Sequence, residues 1–346
     1  MADPKRGILI DTDLGVDDTI ALLMALAHPE VEILAITTTH GNIGVEHVSR
    51  NVRQVLEYTR REIPVYPGSA VPLYGDALTP SLLMGTDGLG GASMQLPAPL
   101  MSLQTTPAGL ALVQQIHAAA KRGDFCLVML GPLTNLALAL ALDPQIPRLV
   151  PHLVIMGGAV DGRGNQTAAA EFNFYADPEA AGVVFRAGFP HLTLLPWETS
   201  TKYLLNWESY EQLTKIESRP AQLFTQVTAS MVDFLKHQFH LPGTPLPDPL
   251  LPQGRAQGSA GIVGDQAGAD QGVGVDVAMA EGMAAVAENL DRLAGIEALE
   301  RRRLGIDLVA VDPAVAGEQA AILVFVEAQG GCAGHVVYFS AMAFPG

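Results

Sequence analysis

Hydrophobic and polar positions along the first two-thirds of the chain fall into short apolar runs separated by stretches of helical spacing. Residues 7–11 form the first run, which Asp11-Thr12-Asp13-Leu14-Gly15 closes. From Asp17 the apolar side chains Ile20, Leu23, Met24 and Ala27 recur on one helical face until Pro29. A β-rich run, 31–38, comes next. Strand, helix and strand in this order make a βαβ unit, which needs a parallel pair and a right-handed crossover. The alternation continues with a helix over 44–60, a strand over 63–66, a helix over 107–121, a strand over 125–130, a helix over 135–142 and a strand over 153–156. Asp177-Pro178-Glu179 supplies an N-cap, a proline in the first turn and an acidic first turn for a helix ending at Gly188. A strand over 191–195 and helices over 206–217 and 220–237 complete this part. The pattern predicts an α/β protein with a parallel sheet.

Two segments break the pattern. Residues 67–106 are rich in Pro and Gly and too long for a plain connector. Residues 251–275, rich in Gly and Ala, read as a loop or linker. Beyond them lie a helical pattern over 278–303 and apolar runs at 306–311, 321–326 and 335–340, which are expected to add edge strands to the sheet. The chain therefore divides into an α/β region over 1–250, the Gly/Ala-rich stretch, and a C-terminal helix with strands over 276–346 that can belong to the same domain. The fold class is read for 1–250 and left open for the C-terminal third.

Composition narrows the function. With 346 residues, 49% of them hydrophobic, the chain can bury a large core in one large domain or two ordinary ones. A net charge of −16 argues against a nucleic-acid or anionic-membrane partner. Cys126 and Cys332 lie far apart, which excludes a disulfide framework or a Cys-rich zinc site. The longest apolar stretch, 126–142, is broken by Gly131-Pro132-Leu133-Thr134-Asn135 and reads as strand, turn and helix, not as a membrane span. No signal peptide is read in Met-Ala-Asp-Pro-Lys-Arg, so a cytoplasmic location is expected.

The candidate chemistry concentrates in Asp11-x-Asp13-x-x-x-Asp17-Asp18, at the carboxyl end of the first strand. One aspartate there explains a helix cap; four repel one another unless a cation holds them. Hard oxygen ligands at this spacing suit Ca²⁺ or Mg²⁺. Asn42, Thr134, Asn135 and Asn165 follow later strands and fall at the same edge, where open parallel sheets bind ligands. Asn165, Glu171 and Asn173 together offer the donors and acceptors that vicinal sugar hydroxyls need.

These segments, together with Thr37-Thr38-Thr39-His40-Gly41-Asn42, Met156-Gly157-Gly158 and the run from Glu171 to Ala181, resemble the inosine–uridine-preferring nucleoside hydrolase family over about residues 1–250. The resemblance implies a Rossmann-like open, mostly parallel sheet with helices on both faces. It also implies a bound Ca²⁺, a small-molecule ribonucleoside substrate, a homodimer or homotetramer, and hydrolysis of the N-glycosidic bond by a Ca²⁺-bound water. Carried over by position, Asp13 is a metal ligand and the general base. Asp18, the Thr134 carbonyl and Asp248 complete the metal shell, with Asp11 a ligand or a support. Asp17, Asn42, Asn165, Glu171 and Asn173 hold the ribose.

Two positions depart from the family pattern. Pro247 stands where a histidine usually precedes Asp248-Pro249-Leu250, and Met84 stands where many members carry histidine in the base-side loop. The imidazole that protonates the leaving base is therefore missing, with His237 and His240 as the candidates to replace it. Histidines 28, 47, 117, 152 and 191 read as surface or capping residues. Two other readings stay open: an inactive nucleoside- or ribose-binding relative, and a haloacid-dehalogenase-like phosphatase built on Asp11-x-Asp13. The phosphatase also needs a lysine and a later acidic pair, for which no convincing context is found.

Overall fold

Short strands that are apolar on both faces need cover on both sides, and this requirement sets the architecture. The structure, a computed structural model, describes residues 5–78, 84–202, 204–238, 240–245, 324–327 and 333–336. Six parallel strands form the central sheet: β1 (Arg6–Thr12), β2 (Val31–Thr38), β3 (Val65–Tyr66), β4 (Phe125–Met129), β5 (His152–Met156) and β6 (Leu192–Leu195). Their spatial order is β3-β2-β1-β4-β5-β6. The chain winds outward one way from β1 and the other way from β4, so the switch point lies between these two strands.

Period-2 alternation assigns the two faces. Ile8, Ile10, Cys126, Val128, Val154 and Met156 point to a layer made by α1 (Val16–Ala27), α2 (Val45–Thr59) and α10 (Arg219–Gln238). Leu9, Phe125, Leu127, Met129, Leu153 and Ile155 point to the opposite layer of α3 (Ala108–Arg122), α4 (Thr134–Leu142) and α7 (Pro178–Arg186). In β2 the alternation slips by one, because the register jumps from Ile8↔Ile33 to Leu9↔Ala35. Leu34 is the extra residue of this bulge, and Ile33 and Ile36 consequently face the same layer.

Most predicted elements are found with small shifts at their ends. The strand expected over 63–66 shrinks to β3. Five short elements had no readable period: α5 (Ile146–Leu149), α6 (Phe172–Ala176), α8 (Trp197–Lys202), β7 (Leu204–Asn206) and β8 (Gly243–Pro245). The last two pair antiparallel across a long sequence separation, which no local pattern announces. α9 (Trp207–Thr214) matches the helix expected over 206–217. Among the described residues, the long segment 67–106 is irregular apart from 3₁₀ backbone at Met84 and a 3₁₀ turn at Ser93–Gln95.

Two expectations are corrected. β9 (Val324–Glu327) and β10 (Ala333–Val336), which overlap the apolar runs at 321–326 and 335–340, pair antiparallel with each other in a separate two-stranded sheet and add no edge to the six-stranded one; as neighbours in sequence they meet at a small loop-closure cost. The segments 251–275, 278–303 and 306–311 lie outside the described residues. His152 is not a surface residue: as the first residue of β5 it is buried, with its ring stacked on His191 at 5.5 Å. No helix among the described residues is long and apolar enough to cross a membrane.

Leu127, in the middle of β4, has no exposed surface. Leu127→Ala is expected to cost about 3 kcal/mol of stability in denaturant unfolding, through lost transfer energy and a residual cavity. A loss below about 1 kcal/mol would contradict the packing described here.

Candidate active site

The turn after β1 carries Asp11, Asp13, Asp17 and Asp18, and all four are buried, the most exposed at 2%. The chain enters α1 directly, so Asp17 and Asp18 lie in that helix's first turn, where the macrodipole favours negative charge. Asp18 accepts hydrogen bonds from the Thr12 hydroxyl (2.5 Å), the Gly15 amide (2.9 Å) and Asn42 Nδ2 (3.4 Å). Asp11 Oδ2 accepts from the Thr37 hydroxyl (2.5 Å) and Asn135 Nδ2 (2.7 Å). Asp13 Oδ2 accepts the Asn42 amide at 2.7 Å.

Two glycines make room for Asp13. A Cβ at Gly41 would collide with its Oδ2, and a Cβ at Gly131 would come within 2.8 Å of its Oδ1. Backbone from the loops after β2 and β4 thus clasps the carboxylate from both sides. Asn135 braces the arrangement, because its Nδ2 also reaches Thr38 O at 2.8 Å while its Oδ1 accepts the Ser69 amide at 3.0 Å.

The cluster carries charge that the protein does not neutralise. None of the four carboxylates forms an ion pair among the described residues, and Asp11 Oδ1, Asp13 Oδ1 and Asp17 Oδ1 are buried without a hydrogen-bond partner. Burial pushes the Asp11 carboxyl up to about 7 and Asp18 up to about 6. Burial followed by the charge of Asp18 raises Asp13 and Asp17 well above the usual carboxylate range. A divalent cation reverses this logic by supplying the missing charge. Among the described residues no three His, Cys, Asp or Glu side chains are placed to hold a metal by themselves. Asp13 and Asp18 would need further oxygens, such as a backbone carbonyl.

The expected sugar-binding residues approach from the far side. Asn173 Nδ2 donates to Leu130 O (2.7 Å) and Met156 O (3.3 Å), spanning the ends of β4 and β5 and leaving its carbonyl for other contacts. Glu171 is fully buried and caps α6, accepting the amides of Asn173 (2.8 Å), Gly158 (2.8 Å) and Phe174 (3.1 Å). Burial pushes its carboxyl up to about 7. Asn165 is half-buried, and its Oδ1 accepts the Phe172 amide at 2.7 Å. Glu198, not singled out from the sequence, steadies the start of that loop by accepting the amides of Val160 (3.1 Å), Asp161 (2.8 Å) and Arg163 (3.4 Å).

Other residues complete the picture. Met84 is buried in the core layer over α1, α2 and α10, and its carbonyl accepts the Gly90 amide at 2.9 Å. Asp87 holds the same loop closed through the amides of Leu89, Gly91 and Ser93. His237 and His240 are exposed beyond the packed part of α10, with His237 3.5 Å from Asp233. Asp248 and Pro247 lie outside the described residues. Local pattern does not announce Thr37 as a support, because only the β1–β2 register, Asp11↔Thr37, sets its hydroxyl against a carboxylate, nor Thr12, whose hydroxyl meets Asp18 only through the turn between β1 and α1. Asp177 was read as a helix cap, and it caps Ala180 at 2.9 Å, but it also accepts the Thr134 hydroxyl at 2.6 Å.

The family model for inosine-uridine preferring nucleoside hydrolases matches residues 8–293. The chain is 38% identical over 251 residues to the pyrimidine-specific ribonucleoside hydrolase RihA of Photobacterium profundum, covering 71% of this chain and 78% of the relative. It is 36% identical over 251 residues to the RihA of Shewanella sp. strain MR-7, covering 71% and 76%. Among solved structures, the plant nucleoside hydrolase PpNRh1 superposes with a TM-score of 0.66 at 30% identity, over 70% of this chain and 76% of that one. The purine-preferring ribonucleoside hydrolase from Gardnerella vaginalis gives 0.65 at 28% identity, over 70% and 77%.

A buried, unneutralised acidic cluster predicts a large response to divalent cations. Saturating Ca²⁺ is expected to raise the Tm of chelator-treated protein by about 4 °C, from mass action at roughly a hundred times Kd. Asp13→Asn should abolish most of that rise. A Tm indifferent to both chelator and Ca²⁺ would contradict a cation site here.

Proposed function

The chain belongs to the inosine-uridine preferring nucleoside hydrolase family, and from that premise we propose that it cleaves ribonucleosides with Ca²⁺ at the acidic cluster and Asp13 as general base. Hydrolysis of the N-glycosidic bond of ribonucleosides is the activity of the family. The observation that carries the finer reading is the set of three orphaned carboxylate oxygens, on Asp11, Asp13 and Asp17, buried at the switch point of the sheet. Such a donor set suits a hard cation. Asp13, Asp18, the Thr134 carbonyl and Asp248 would hold it, with Asp11 as a further ligand or a support. When bound, Ca²⁺ acidifies and orients a water for attack.

The chain's own residues do the rest. Asp13 takes the proton of the attacking water as its oxygen bonds to the anomeric carbon. The carbon–nitrogen bond breaks, and its electron pair leaves with the base. Positive charge grows on the ribosyl ring in this step, and the clustered carboxylates stabilise it without having to reorganise. Asp17, Asn42, Asn165, Glu171 and Asn173 hold the ribose hydroxyls. Glu171 spends three acceptor sites on backbone amides, and a carboxylate has about four, so one remains for substrate. The phosphatase alternative loses its ground with the family assignment. An inactive binding relative is separated by the same assay that measures turnover.

That assay is ribose release from inosine, uridine and their 2′-deoxy counterparts. A site that pairs each hydroxyl is expected to favour the ribosides by at least about tenfold in kcat/KM, with Asp13→Ala inactive toward all of them. Equal turnover of riboside and deoxyriboside would remove the sugar-binding assignment. No turnover at all would favour the binding relative. Relatives named pyrimidine-specific and purine-preferring flank this chain, so the inosine-to-uridine ratio reads its base preference directly.

The leaving group gives a separate test. Met84 is packed into the core, and Pro247 stands at the other expected imidazole position. A positioned acid contributes about 10²–10⁴-fold. Nitrophenyl riboside departs as a stable phenolate and needs no donated proton, so it should be cleaved far faster than inosine or uridine. Comparable kcat/KM for the two substrate types would reveal an acid elsewhere, with His237 and His240 the first to substitute.

A further inference from the structure

A chain of three buried side chains runs across the carboxyl edge of the sheet beside the acidic cluster. His40, which follows β2, is 1% exposed, and its Nε2 lies 2.9 Å from the Thr134 hydroxyl at the head of α4. That hydroxyl donates to Asp177 Oδ2 at 2.6 Å. Asp177, wholly buried after β5, also accepts the Leu73 amide from the loop after β3 at 2.9 Å. Four loops, each from a different strand, are tied together by these contacts.

Proton counting fixes the direction of the chain. A threonine hydroxyl has one hydrogen, and here it is committed to Asp177. Thr134 must therefore accept from His40, and the ring carries its proton on Nε2. His40 Nδ1 is buried with no hydrogen-bond partner, so a second proton there would be an unsatisfied buried donor. The chain thus runs one way, from imidazole N–H to hydroxyl to carboxylate.

Both ends of the imidazole's reach matter to the site. The two residues after His40 are Gly41 and Asn42, which clasp and hydrogen-bond Asp13. Thr134 is the first residue of α4, beside Asn135, which binds Asp11. We propose that His40 is a positioning residue: by donating from Nε2 to the Thr134 hydroxyl, it locks the Asn42–Asp13 clasp and the head of α4 into one rigid frame. The proposal rests on the reading that Asp13 and Thr134 belong to the metal and substrate site.

The first test is the ring itself. Long-range ¹H–¹⁵N spectra of histidine-labelled protein, assigned with His40→Gln, should show a proton on His40 Nε2. A bare Nε2 overturns the proposal whatever the metal does. The second test compares His40→Gln, whose amide N–H can replace Nε2–H, with His40→Leu, which has no donor. His40→Gln is expected to stay within about threefold of wild type in Ca²⁺ affinity and kcat for inosine or uridine, and His40→Leu to lose about tenfold or more in both. Tm is followed in parallel. Thr134→Val, which keeps the backbone carbonyl and removes the hydroxyl, should reproduce the His40→Leu loss, and the double variant should be no worse than either. His40→Leu within about threefold of wild type, or additive losses in the double variant, overturns the proposal. If His40→Leu fails to fold, Thr134→Val alone decides by the same threshold. Wild-type protein that takes up no Ca²⁺ would defeat the metal reading alone, and the tautomer and kcat would then decide the role of His40.

Discussion

The repulsion among four buried carboxylates at the end of β1 is the constraint on which the rest of the site depends. Burial raises all four carboxyl pKa values by disfavouring the charged form, and the charge of Asp18 adds to the rise at Asp13, Asp17 and, least, Asp11. The protein answers with neutral donors, not with basic side chains. Thr12, Thr37, Asn42, Asn135 and two backbone amides take some of the lone pairs and leave three oxygens unpaired. A lysine or arginine placed there would form an ion pair and close the site. Neutral donors hold the carboxylates in place without an ion pair, which is what the proposed cation and ribosyl roles require.

Geometry for this arrangement comes from the strand order. With β1 between β2 and β4, the loops after all three meet at one crevice, and each supplies something different. The turn after β1 brings the acids, the loop after β2 brings Gly41 and Asn42, and the loop after β4 brings Gly131, Thr134 and Asn135. Close approach of three backbones leaves no space for a Cβ against Asp13, which is why glycine stands on either side of it. Three of the residues proposed to hold the ribose, Asn165, Glu171 and Asn173, come from the segment after β5, where Glu171 spends most of its acceptor capacity on capping α6. Its rigid cap fixes Asn173 across the ends of β4 and β5.

The loop proposed to face the base is organised differently. Asp87 folds it through three amides, and Met84 anchors it by entering the core. A buried thioether there contributes packing and no proton. The His40–Thr134–Asp177 chain lies on the other side, where it joins the loops that clasp Asp13 to those after β3 and β5.

The two sources of information divide along a physical line. Local pattern was enough for the six core strands, the long helices and the helix start at Asp177, because period-2 and period-3.6 burial and capping chemistry are written in neighbouring residues. It also pointed to Asp11, Asp13, Asp17 and Asp18, since capping explains one acid and not four in eight positions, and to Asn42 from its place after the second strand; the fold brings these five together. Tertiary structure alone decided what depends on residues distant in the chain. The Leu34 bulge and the pairing of Asp11 with Thr37 follow from register, and the antiparallel β7–β8 pair joins segments far apart in sequence. Met84 became core because α1, α2 and α10 close over it, and His152 became buried because His191 stacks on it. The part of His40 was invisible for the same reason: a lone histidine acquires direction only when a hydroxyl 94 positions away, its single proton already committed, comes within hydrogen-bonding distance.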